Sequence, residues 1–193
     1  MAAREVITIG DPRLRQSSDE IIEVTPEIEQ LIDDMIETMH EEDGIGLAAV
    51  QVGEMQRIIL VELPEDLGGS DEEDDEIEPL PGAGQLYVVL NPRIVRESRE
   101  TEIGIEGCLS VPGYVGEVER AVQVTVRGRD RHGKKFRLRP RGLLARVFQH
   151  EIDHCNGVLY VDKLTDMDRM WAVEEGTEEE VEATQEMSTQ SMT

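Results

Sequence analysis

"RGLLARVFQHEIDHCNG", residues 141–157, decides the fold. From about Gly142 it reads as a helix, with Asn156-Gly157 as its stop. Leu143, Val147, His150 and His154 fall on one stripe, Leu144 and Phe148 flank it, and the helix is apolar nearly all round. A helix of that kind is buried, and polar groups buried inside it need partners. His150 and His154 are four residues apart, a little over one turn, so both can grip one ion, with Glu151 beside them. The competing reading is a pair of core histidines with ordinary hydrogen bonds.

A catalytic metal wants three protein ligands and one position left for water. His40 sits at the acidic end of a helix and His132 in a hairpin turn, where solvent exposure explains both. Cys155 points about 100° away from the histidine stripe and reads as a small buried hydrophobe. Cys108, in "GIEGCLSVPG", remains as the donor that would close the site.

Outward from this helix, "TPEIEQLIDDMIETMHEEDG" reads as a second helix, with Thr25 as N-cap, Pro26 as first residue and Gly44 as its end. Ile28, Leu31, Ile32, Met35, Ile36 and Met39 recur at helical spacing, which makes the methionines core residues. "RIILVEL", "LYVVLNP", "VQVTVRGRD" and "KKFRLRP" read as strands, the last two joined at Gly133. The Gly-, Pro- and acid-rich segment 64–84 reads as a flexible surface loop. After Asp162 the chain turns polar, with a helical turn or two expected around Met170 and disorder beyond.

The 193 residues suit one domain with its own core. Acids outnumber bases 43 to 19, for a net charge of −24, which argues against nucleic acid as a generic partner. Residues 19–43, 65–78 and 174–186 carry eleven, nine and seven acids and no Lys or Arg, whereas Tyr87 to Leu164 carries fourteen bases against ten acids. No apolar run is long enough for a signal peptide or a membrane span. Two cysteines, Cys108 and Cys155, do not indicate a disulfide framework, and the expected location is the cytoplasm.

Three stretches together resemble peptide deformylase: "GIGLAAVQ" (Gly44 to Gln51), "EGCLS" (Glu106 to Ser110) and "QHEIDH" (Gln149 to His154). "GDPRLR" and "GVLYVDKL" extend the likeness over about Ile7 to Leu164, interrupted by the acidic loop. The resemblance implies an α+β fold, antiparallel strands wrapped around a central helix that carries the histidines, with an N-terminal helix. The catalytic domain would span residues 1–164 with 64–84 as an insertion, followed by an acidic, partly disordered tail at 165–193.

It also implies the reaction, removal of the formyl group from the N-terminal formylmethionine of newly synthesised peptides. Cys108, His150 and His154 would bind one divalent metal, iron(II) in the cell, with zinc, nickel or cobalt as other occupants. Glu151 would take a proton from water and return it to the departing amine. The Gln51 side-chain amide, the backbone N–H of Leu109 and the metal would meet the charge growing on the formyl oxygen. Backbone at Gly44, Ile45, Gly46 and Gly107 would approach an extended peptide, with Ile45 and Val147 as walls of the methionine pocket. Asp153 would either orient a metal ligand or pair with an arginine such as Arg120.

The partners implied are formylated nascent peptides and a transient ribosome contact, with no DNA and no membrane. Some relatives dock on the ribosome through a basic C-terminal helix. Here Glu174 to Glu186 has the wrong sign for RNA, and "RGRDRHGKKFRLRPR" is either a substitute or a solvated hairpin. Val115 stands where some relatives place an arginine near the substrate backbone. Two other classes compete. A zinc endopeptidase would seek its third ligand downstream, where the chain has no histidine, and a structural metal module would need a fourth protein ligand.

Overall fold

In the computed structural model, residues 2–65 and 80–173 are described, so the loop core at 66–79 and the tail from 174 lie outside the described residues. Among the described residues are two α-helices, α1 (Pro26–Glu41) and α2 (Gly142–Cys155), both at the places their periodicity predicts. Pro26 opens α1, where a missing N–H costs nothing, and Gly44 N–H closes on Met39 C=O at 2.8 Å.

A five-stranded antiparallel sheet runs in the order β1 (Gly46–Ala48), β2 (Ile58–Val61), β3 (Tyr87–Glu97), β6 (Val124–Arg129), β7 (Lys135–Leu138). β2 is buried on both faces, which is why "IILV" is an unbroken apolar run. Ile58 and Leu60 turn to one side, into a cluster with Leu31, Ile32, Met35 and Met39 of α1. Ile59 and Val61 turn to the other, into a cluster with Val147, Phe148 and Ile152 of α2. The two α1 methionines are fully buried, as their spacing requires.

A second sheet has the order β4 (Thr101–Gly107), β5 (Tyr114–Ala121), β8 (Met170–Ala172), again antiparallel. Val118 of β5 joins the same cluster as α2, so the helix lies between the two sheets. The class is α+β, strands around a central helix, as expected.

β1, β4 and β5 escape a periodicity search because Gly46, Gly104, Glu106, Gly116 and Arg120 stand where apolar residues would mark a buried face. The tail expectation needs correction. A single 3₁₀ turn covers Met167–Arg169, and Met170–Ala172 is a strand paired with Tyr114–Gly116, not a helix. The ordered pairing therefore continues past Leu164.

Phe148 is fully buried and meets Tyr87 edge-on at 5.6 Å between ring centres. Phe148→Ala should lower unfolding free energy by about 3–5 kcal/mol in a denaturant titration; a loss under about 1 kcal/mol would deny α2 its place in the core.

Candidate metal centre

Because α2 is helical through both histidines, their rings meet edge to face at 4.9 Å between centres and the two Nε2 atoms lie 3.2 Å apart. Cys108 follows the last residue of β4 and brings Sγ to 3.3 Å from His154 Nε2. One donor atom from each of Cys108, His150 and His154 lies within 4.8 Å of the others, and this is the metal-sized cluster found among the described residues. His40 is exposed and pairs with Glu62, and His132 is exposed in its turn. Cys155 is buried, and burial pushes its thiol up to about 12, so it is inert packing.

A residue to which the sequence reading gave no role organises the centre. Glu106, on the inward face of β4, accepts a hydrogen bond from His150 Nδ1 at 2.9 Å. Burial alone would raise the Glu106 carboxyl. The hydrogen bonds from Arg120 and His150 outweigh it and hold the group well below the usual carboxylate range. An ionised carboxylate can only accept, so Nδ1 keeps the proton and Nε2 presents its lone pair to the cluster. Arg120 grips both Glu106 oxygens at 2.8 Å, and Arg146 reaches Oε1 at 3.0 Å. Asp153 pairs with Arg120 and Lys163, which decides between the two roles left open for it. The available signals were a charged residue at an inward strand position and an arginine inside the apolar run "LLARVF".

The charges around the cluster suit a cation. Burial opposes protonation of His150, yet its contacts with Cys108 and Glu106 pull it well above the usual histidine value. Burial and the neighbouring His150 push His154 well below that value, so its ring stays neutral. The ionised Glu106 carboxylate lies directly behind His150, and one sulfur with two imidazole nitrogens is a donor set for a divalent transition ion.

Glu151 lies next to the cluster, 4% exposed, and its Oε2 has no hydrogen-bond partner among the described residues. Burial raises its carboxyl to about 7. A group poised there can both accept and return a proton near neutrality. Gly46 makes room for it, since a Cβ on Gly46 would stand 2.4 Å from Glu151 Oε1.

Gln51 is 2% exposed, and Ala48 N–H donates to its Oε1 at 2.8 Å. That fixes the amide with Nε2 aimed at Ser110 Oγ, 3.3 Å, and Cys108 Sγ, 3.5 Å. The backbone N–H of Leu109 finds no acceptor among the described residues. Gly44 lies against Leu109, with 3.2 Å between its ideal Cβ position and Leu109 Cδ1. Ile45 and Val147 pack in the same cluster, while Gly107 is exposed beside Cys108. The structure brings Cys108, His150 and His154 together, with Gln51 beside Cys108 and Glu151 beside Gly46.

Comparison with known proteins gives a consistent result. A family model described as polypeptide deformylase matches residues 3–170. A peptide deformylase of Thermomicrobium roseum is 44% identical over 183 residues, 95% of this chain and 98% of that protein. One from Halothermothrix orenii is 44% identical over 164 residues, 85% of this chain and 95% of the other. A crystal structure of peptide deformylase from Ehrlichia chaffeensis in complex with actinonin superposes with a TM-score of 0.74 at 36% identity, covering 100% of both chains.

Removing the Glu106 carboxylate charge leaves His150 Nδ1 a neutral acceptor at most and takes the counter-ion from Arg120 and Arg146. Glu106→Gln should weaken metal affinity by about 10- to 100-fold in a competition titration with a chelating dye; unchanged affinity would refute the orienting role.

Proposed function

Because the chain belongs to the polypeptide deformylase family, we propose that it hydrolyses the formyl group from the N-terminal formylmethionine of newly synthesised peptides, using the Cys108, His150 and His154 centre. The observation that carries the residue assignment is the convergence of that donor triad with the unpartnered, buried Glu151 carboxylate.

A divalent ion held by Cys108, His150 and His154, iron(II) in the cell and zinc, nickel or cobalt as other occupants, would supply Lewis acidity to water and to the formyl oxygen. Glu151 takes the proton from the attacking water and later hands it to the amine nitrogen as the C–N bond breaks, which releases formate and a free N-terminus. Gln51 Nε2 and the Leu109 N–H donate to the oxygen on which charge develops; each such donor lowers the barrier by about 3 kcal/mol. Ile45 and Val147 wall the cavity for the methionine side chain. β1 and β4 are both sheet edges, so an extended peptide can pair with backbone at Gly44, Ile45 and Gly46 on one side and Gly107 on the other.

No helix among the described residues is long and apolar enough to cross a membrane. Action on nascent chains favours a cytoplasmic location. For the transient ribosome contact, the β3–β6–β7 face is the favoured surface. Its register sets Arg93 opposite Arg127 and Arg127 opposite Arg137, with Arg129 opposite Lys135 in the next row on that face. Like charges placed directly opposite repel, and a phosphate backbone relieves that.

Formate release from a formyl-Met peptide tests the reaction directly, with cleavage of internal peptide bonds as the endopeptidase alternative. Glu151→Gln should cut kcat by about 10²–10⁴-fold while the metal is retained; full activity in that variant removes the base. Ribosome association should fall steeply between about 50 and 200 mM salt, and a salt-independent association would rule out the arginine face.

A further inference from the structure

The second sheet has an outer face that leads away from the metal centre. Glu106 turns inward to His150, so by the two-residue period Gly107, Ile105 and Ile103 turn outward. The register puts Val115 opposite Gly107 and Trp171 opposite Val115, which places all three on that outer face. Ile103 is 56% exposed and Trp171 39%, Ile105 and Val115 are half-buried, and Gly107 is exposed. A Cβ on Gly107 would stand 3.4 Å from Val115 Cγ1, so the glycine leaves a gap in the row that Val115 borders.

β4 is an edge strand. Val122 N–H donates to Glu100 C=O, in register with the β4–β5 pairing. In an antiparallel ladder hydrogen-bonded pairs alternate, so the even-numbered residues of β4 bond to β5. The N–H and C=O groups of Ile103, Ile105 and Gly107 therefore line the free edge, beginning next to Cys108.

We propose that this face is a track for the downstream part of the peptide, with apolar side chains favoured at its second and fourth residues, formylmethionine being the first. The inference rests on the deformylase reading above. The first side chain enters the interior beside Val147, so the second turns outward and the fourth follows it. The free edge leads only back toward Thr101, so the peptide runs antiparallel to β4. Its second residue then lies over the Gly107 gap against Val115 and Trp171, and its fourth stands opposite Ile105, next to Ile103.

Rates of formate release test this on the whole chain with its metal loaded. Peptides formyl-Met-X-Ser-Ser-Ser and formyl-Met-Ser-Ser-X-Ser, with X either Leu or Ser, should show kcat/KM about tenfold higher for Leu at each position, chiefly through KM. In Trp171→Ser the second-position preference should fall to about threefold or less, while the fourth-position preference stays. Each preference is a ratio within one preparation, so partial loss of folded enzyme cancels, and the wild-type ratios stand without the variant. Formate released from all peptides with Leu/Ser ratios within about twofold would overturn the track and leave the deformylase reading intact. A Trp171→Ser ratio equal to wild type would remove Trp171 from it. Formate from none of the peptides would sink the deformylase reading and the track with it.

Discussion

The Glu106 carboxylate is the contact on which the rest of the centre depends. It receives His150 from α2, Arg120 from the neighbouring strand and Arg146 from the helix one turn earlier. A negative charge buried this deeply is unfavourable unless several donors surround it. Here the donors come from α2, which carries both histidines, and from β5, which pairs with the strand leading to Cys108. The same hydrogen bonds that make the carboxylate tolerable also lock the second sheet against the helix and set the tautomer of a ligand. Stability and chemistry are coupled through one side chain.

Glu151, directly after His150 and three residues before His154, shows the opposite treatment of an acid. Among the described residues its Oε2 receives no donor, and burial keeps its proton affinity high. Two glutamates near one point are thus driven apart: one is held ionised by arginines, the other left able to take and give a proton. The clearance for the second comes from Gly46 on a different sheet, where any side chain would collide with the carboxylate. The motif glycine makes room for this carboxylate as well as for the backbone.

Charge is also sorted by region. α1 and the acidic segments carry the excess negative charge, while the β3–β6–β7 face gathers arginines opposite one another. The sheet next to the centre follows neither pattern, since its outer face offers Ile103, Ile105, Val115 and Trp171. The last of these joins that face because β8 folds a chain segment from beyond residue 164 back onto β5.

Much of this was legible in the residues alone. The helical period marks α1 and α2 and the core role of Met35 and Met39, and the i, i+4 histidines with Cys108 in "EGCLS" identify the donor set. These signals are local: a helix or strand repeats its faces every few residues, and a short motif keeps its donors within one turn. Only the tertiary structure decided that Glu106 orients His150 across 44 positions, that Arg146 joins it across 40, that Asp153 belongs to Arg120, and that Met170 begins a strand. Pairings between distant segments leave no period in the sequence, because their geometry exists only after two sheets have closed around one helix.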